Sequence, residues 1–294
     1  MGITLNSYCV ECLLGKNLRT ARQLGDSDTA YAFAKALMQL YLDAEEDTNS
    51  SRLGARINRL AREFYDLPQD RFKEDKYRSN QFVLQWLSTI REQVRQADDP
   101  VLTALQYAIL GNYIDFSALD RSVSFEQLEQ MLLHPEKFTF DRCTYDAFCA
   151  DIEKATSLLY ITDNAGELGF DWVLAEELVR RWPKLKITFC VRGTPVYNDA
   201  TREDYDFMGI PFPVISNGSD IGGTDLKYVS QETLDAMNAS DVILAKGMGN
   251  TETLYGEGYP VYYAFLIKCK RFEQVFDKPH MTPMFLKEPK CYKM

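Results

Sequence analysis

Histidine is nearly absent from this chain: His134 and His280 are the only two in 294 residues, and each adjoins a proline. A Ser-His-Asp triad is therefore not a credible engine for it. Long apolar runs are missing too. None approaches the roughly 18 residues that a membrane-spanning helix needs, so no membrane partner is expected. Positive charge is in deficit, with 33 Lys and Arg against 43 Asp and Glu, a net charge of -10 and a pI of about 4.9. Nucleic-acid backbones are bound by clustered Lys and Arg, so nucleic acid is not the expected partner. Neither Gly247-Met-Gly249-Asn250 nor Gly218-Ser-Asp-Ile-Gly222-Gly223 is a dinucleotide fingerprint or a Walker loop. Residues 1–9 lack the basic start and apolar core of a secretory signal. Asn6 stands where a myristoylation motif wants Ser or Thr. A cytoplasmic location is the expectation.

Seven cysteines, an odd number at irregular spacing, read as reduced thiols in a chain long enough to form its own core. Cys190 lies in an apolar run and reads as a small buried residue. Cys9 and Cys12 form a Cys-x-x-Cys pair. Such a pair can bind a soft metal, cycle through a disulfide, or simply stand at the start of a helix. There is no second pair, so a closed zinc site would need Cys143, Cys149 or Cys269 to come close.

Two patterns divide the chain. Residues 1–152 read as a helical domain. Tyr31 to Tyr41 after Ser27-Asp28, Asn80 to Ile90, Val101 to Leu110 after Pro100, and Ser124 to Leu133 all repeat apolar residues at three and four. Residues 153–294 alternate short apolar strands with helix-like stretches, the pattern of parallel α/β units. The fold class is α/β: a three-layer α/β/α sandwich with a mostly parallel, Rossmann-like sheet, plus the N-terminal helical domain. Pro260 to Ile267 reads as a late buried strand, and Lys278 to Met294 as an extended surface tail.

Each strand-like run ends in a polar loop. Ser157-Leu-Leu-Tyr-Ile161 leads into Thr162-Asp163-Asn164-Ala-Gly166-Glu167. Lys186 to Val191 leads into Arg192-Gly-Thr-Pro-Val-Tyr-Asn198-Asp199. Val214-Ile-Ser216 leads into Asn217-Gly-Ser-Asp220, and Asp241 to Ala245 leads into Lys246-Gly-Met-Gly-Asn250. Ligands of open α/β sheets sit at such strand ends. Asp163, Asn164 and Asp199 offer hard oxygens to Mg²⁺ or Mn²⁺. Asp163 or Asn164 can equally cap the next helix. Lys246 and Arg192 can supply positive charge, and the glycine-rich backbone N–H donors, for a phosphate. Glu167 reads as a proton-transfer or supporting carboxylate, or as a first-turn acid facing the helix dipole. Asp220 and Asn250 read as substrate contacts, with a turn Asp and a helix cap as their alternatives. Asn112 and Asp115 can close the crevice from the helical side, or act as turn residues.

These motifs, with Cys9-Val-Glu-Cys12 and Gly111-Asn112-Tyr-Ile-Asp115, resemble the DUF89 or damage-control phosphatase ARMT1-like family over roughly residues 9–270, in its prokaryotic branch with paired cysteines. The resemblance implies a metal-dependent phosphomonoester hydrolase acting on small phosphorylated metabolites such as sugar phosphates, with Mn²⁺, Co²⁺, Ni²⁺ or Mg²⁺. It assigns metal ligation to Asp163, Asn164 and Asp199, and favours a metal-activated water over Asp163 as nucleophile. Asp163, Glu167 and Lys246 are the expected catalytic residues, and Arg192, Asp220, Lys246 and Asn250 the expected substrate contacts. The same loops could serve a binding protein without turnover. A carboxyl methyltransferase is a lower-ranked alternative.

Overall fold

The structure, a computed structural model, describes residues 2–113 and 130–288. Its first part is helical: α1 (Ser7–Leu24), α2 (Ser27–Leu42), α3 (Ser50–Tyr65), α4 (Lys73–Gln96), α5 (Pro100–Leu110) and α6 (Arg142–Lys154). Local chemistry explains where these start. Asp26 caps α2 by accepting from the Thr29 N–H at 2.7 Å, one residue before the Ser27-Asp28 pair that the sequence offered. Pro100 occupies the first turn of α5, with Asp99 as the cap. Most of the helix expected over 124–133, and Asp115, lie outside the described residues.

The second part runs β1 (Ser157–Ile161), α7 (Leu168–Arg181), β2 (Lys186–Val191), α8 (Arg202–Met208), β3 (Val214–Ser216), α9 (Gln231–Ala239), β4 (Val242–Lys246), α10 (Gly247–Leu254), β5 (Val261–Leu266), α11 (Lys270–Phe276) and β6 (Pro283–Lys287). The sheet order is β3-β2-β1-β4-β5-β6. Every neighbouring pair is parallel except β5 and β6. The surface tail expected from 278 onward is thus partly corrected: residues 283–287 form an antiparallel edge strand. Buried Phe285 anchors it, stacking on Tyr262 at 5.8 Å. Pro283 stands at the edge strand's first position, where its missing N–H does no harm.

Strand alternation makes the three layers. Leu158, Tyr160, Phe189 and Leu244 face a core shared with α4, α5, α6 and α7. Leu159, Ile161 and Ile243 face the other way, toward Met237 of α9, Leu254 of α10 and Phe272 of α11. A parallel sheet needs both faces covered. The helices 73–110 therefore belong to one sheet-covering layer, and the change of secondary structure between Lys154 and Ser157 does not divide the core. A separate cluster of Phe33, Leu37, Leu53 and Ile57 holds α1, α2 and α3 together. Among the described residues, no helix is long and apolar enough to cross a membrane.

Candidate active site

The strand order reverses direction between β1 and β4, and the crevice at such a switch point is where doubly wound sheets bind ligands. Asp163 and Asn164 follow β1 there. Neither side chain caps the 3₁₀ turn 165–167. Asn164 Nδ2 donates instead to Asp163 Oδ2 at 3.0 Å and to Glu167 Oε1 at 2.6 Å. Asn112, just past α5, donates to the same two oxygens at 3.0 and 2.6 Å. Its own Oδ1 accepts from the Leu266 N–H at 3.3 Å. The helical layer thus reaches into the crevice through Asn112, and the cap reading of Asn164 gives way to a side-chain network.

Asp199 arrives from the loop after β2. Short bridges pair Asn164 with Asp199 and Arg192 with Thr201. The Ala200 N–H donates to the Asp163 carbonyl at 2.7 Å, fastening the two loops. Arg192 lies beneath both carboxylates. Its Nε donates to Asp199 Oδ2 at 2.5 Å and its Nη2 is 3.8 Å from Asp163 Oδ1. Arg192 is 1% exposed, with Nη1 and Nη2 lacking hydrogen-bond partners among the described residues. It was expected to contact substrate; the structure makes it the buried counter-charge under the carboxylates.

Lys246 differs more from expectation. It was read as the phosphate-holding ammonium, but it is 0% exposed. Its Nζ donates to Glu167 Oε2 at 2.9 Å and Asp171 Oδ1 at 2.8 Å. Burial acts to lower its pKa, yet attraction to Asp171 and Glu167 wins and holds it above the ordinary value. Burial pushes the Asp171 carboxyl up to about 6, against the pull of Lys246. Tyr160 also donates to Asp171 Oδ1, at 2.7 Å. Sequence reading missed Asp171, which sits on α7 as one more acidic helical residue. Its signal was the four-residue spacing from Glu167, which puts both on one helical face. Glu167 accepts from Asn112, Asn164 and Lys246 with no exposure at all, so it positions its neighbours.

Two expected substrate contacts are committed elsewhere. Asn250 Nδ2 donates to the carbonyls of Thr162 at 2.9 Å and Lys246 at 2.7 Å, and its Oδ1 accepts from Thr224. It ties the ends of β1 and β4 together. Asp220 pairs with Arg59 of α3, Nε to Oδ2 at 2.7 Å. The glycine at 247 has a specific cause. It adopts φ +78°, and a Cβ there would fall 1.9 Å from Asp163 Oδ2. Only glycine lets the β4 end pack against that carboxylate.

Residues 5–281 match the damage-control phosphatase ARMT1-like domain. The chain belongs to that family. A damage-control phosphatase of Archaeoglobus fulgidus is 30% identical over 272 residues, covering 90% of this chain and 93% of that one. One from Pyrococcus horikoshii is 36% identical over 206 residues, 68% of each chain. An uncharacterised protein of Methanocaldococcus jannaschii is 33% identical over 282 residues, 91% of this chain and 90% of its own. The fold agrees: the crystal structure of a DUF89 family protein from P. horikoshii superposes with a TM-score of 0.81 at 26% identity, over 97% of this chain and 99% of that one.

The family resemblance implies a divalent cation, and the donor set can be tested for it. Among the described residues, no group of three or more His, Cys, Asp and Glu side chains is arranged to hold a metal ion. The expected ligands are two carboxylates and an amide, all oxygen donors, which suits a hard cation. Asp163, Asn164 and Asp199 are 8%, 6% and 6% exposed, so they keep an edge on the crevice. Burial, then the charges of Glu167 and Asp199, hold the Asp163 carboxyl well above the usual range, against Arg192 and Lys268. Asp163 and Asp199 gather on Arg192, and Glu167 and Asp171 on Lys246. The chemistry of this set fits a divalent cation.

Proposed function

We propose that the protein is a metal-dependent phosphatase of small phosphorylated metabolites. The observation that carries this reading is the convergence of three oxygen-bearing side chains, Asp163, Asn164 and Asp199, at the sheet's switch point, in a chain whose relatives include proteins named damage-control phosphatases. Asp163, Asn164 and Asp199 would hold Mn²⁺, Co²⁺, Ni²⁺ or Mg²⁺. Bound there, the cation would supply Lewis-acid polarisation of a phosphoryl group and a water of lowered pKa.

The chain's own residues prepare that centre. Asn112 and Asn164 donate to one oxygen of Asp163 and fix its orientation. Glu167 holds both amides by their nitrogens, which leaves the amide oxygen of Asn164 as its ligand atom. Arg192 lies against both Asp163 and Asp199 and holds the two side chains next to each other. A carboxylate anchored this way suits ligation better than nucleophilic attack. The Lys246 pair holds Glu167 in place from below. The test is hydrolysis of p-nitrophenyl phosphate and a panel of sugar phosphates, with EDTA and with each of the four cations. Turnover that needs a cation and is lost in Asp163→Asn supports the reading. Turnover by none of them, with cation binding intact, leaves a binding protein instead.

A further inference from the structure

This acidic chain carries a basic cleft beside the carboxylate cluster. The cleft, of about 960 Å³, lies between α1 and the turn that enters α11. Lys16 and Arg19 line it from α1, and Lys268, Lys270 and Arg271 from the opposite wall, against the carboxylates of Glu11 and Glu273. Its size is at the upper end of the roughly 300–1,000 Å³ typical of small-ligand sites. On a protein of net charge -10, five basic and two acidic side chains reverse the local sign. A concave patch of one sign concentrates ligands of the other. Lys270 pairs with Glu273 at 2.7 Å. Arg271 Nε is buried with no hydrogen-bond partner among the described residues.

Two connections place this cleft next to the proposed metal ligands. Met248 lines it and directly follows Gly247, whose backbone packs against the Asp163 carboxylate. On the other side, Lys16 Nζ stands 5.2 Å above the centre of the Tyr197 ring. Tyr197 comes two residues before Asp199. Tyr197 has a left-handed backbone, φ 47°, which is costly for an aromatic residue. Lys16 thus ends on the loop that carries Asp199.

A cation held by Asp163, Asn164 and Asp199 would satisfy the scissile phosphate. It does not account for further positive charge along the cleft. We propose that the cleft binds a second anionic group of the substrate, so that the preferred substrates are phosphomonoesters carrying another phosphate or a carboxylate. Lys16 and Arg19, three residues apart on one face of α1, are the specificity-determining residues. This inference rests on the phosphatase reading and narrows its substrate class.

The experiment compares a hexose monophosphate, a hexose bisphosphate and a phosphorylated sugar acid, by kcat/KM and by calorimetric binding in Mg²⁺. Wild type should favour at least one of the two doubly anionic ligands by about tenfold or more over the monophosphate, the size of a charge-assisted contact. A Lys16→Gln/Arg19→Gln double variant should lose about tenfold of that ratio, mostly through KM, and Lys16→Arg should keep it. Which ligand shows the preference tells phosphate from carboxylate. Equal kcat/KM for all three in wild type overturns the proposal, as does an unchanged ratio in a double variant with a wild-type melting temperature. Tight, charge-selective binding without hydrolysis by any cation would sink the phosphatase reading and keep the cleft's role.

Discussion

Two halves of one carboxylate cluster share Glu167 and behave differently. The inner half is Lys246, Asp171 and Tyr160, packed between α7 and the end of β4 with no exposure. The outer half is Asp163, Asn164, Asp199 and Arg192, with an edge on the crevice and two guanidinium nitrogens that make no hydrogen bond among the described residues. The inner lysine contacts two buried carboxylates, and Arg192 contacts the two outer ones. Charge sealed away from solvent holds structure, and oxygen atoms that keep some exposure at a crevice edge are within reach of a ligand. The comparison also explains why a lysine at a strand end, beside glycines, is not a phosphate contact here: its side chain turns under the sheet edge toward α7.

The sharpest way to break this comparison is Lys246→Met. It keeps much of the stem but leaves Glu167 and Asp171 buried without their cation. Removing one partner of a buried pair typically costs about 3–5 kcal/mol. Urea unfolding should show a loss of that order, and turnover should fall with it because Glu167 no longer holds Asn164. A variant with wild-type stability and lost turnover would return Lys246 to the substrate.

The outer half should respond in the opposite sense. Asp163→Asn removes a carboxylate from a like-charged, buried crowd. The cation-free protein should melt no lower than wild type, while the rise in melting temperature on adding Mn²⁺ or Mg²⁺ largely disappears. Turnover should drop about a hundredfold or more, some 2.7 kcal/mol of barrier. A clear loss of cation-free stability would show that Asp163 is a structural residue, and the two halves would not differ.

A smaller effect is expected where the halves meet. Asn112→Ala removes the amide that donates to both Asp163 and Glu167, without touching an expected ligand. Groups that orient metal ligands typically contribute ten- to a hundredfold in metal affinity or activity. About tenfold weaker cation binding, read by calorimetry, is the expected result. Unchanged binding would make Asn112 only a clamp on the Leu266 N–H.

Much of this was legible in sequence, for physical reasons. Short apolar runs such as Leu158–Ile161 and Val242–Ala245, each followed by a polar loop, read as strands covered on both faces, so the parallel sheet and its polar strand ends were legible. The motifs Thr162–Glu167 and Arg192–Thr201 located Asp163, Asn164 and Asp199 at one edge, where the structure brings them together. Side-chain direction was not legible. Whether Lys246 faces the crevice or α7 depends on Asp171, an acid on another element. Whether Asn250 meets a ligand or two carbonyls depends on the separation of β1 and β4. The edge strand at 283–287 escaped because Pro283 and nearby lysines read as surface, and only Phe285 finding Tyr262 and Phe148 makes it a strand.

The smallest expected effect is at Asp220, and it separates both halves of the cluster from their surroundings. Its sequence context, a glycine-rich turn after a strand, resembles that of Asp163. The structure pairs it with Arg59, and these side chains are 24% and 49% exposed. Such pairs are typically worth about 0–1 kcal/mol. Asp220→Asn should therefore change stability by less than about 1 kcal/mol and leave cation binding intact. The hydrogen bond from Arg59 holds the Asp220 carboxyl below the usual carboxylate value, against the cost of its partial burial. A lowered folded-state pKa means that the unfolded chain binds the proton first as pH falls. The pair's contribution is thus present at neutral pH and is lost as pH drops from the ordinary carboxylate value of about 3.9 through the lower folded value. The stability difference between wild type and Asp220→Asn should shrink over that acid range. A loss of several kcal/mol, or of cation binding, would place Asp220 in the cluster and not beside it.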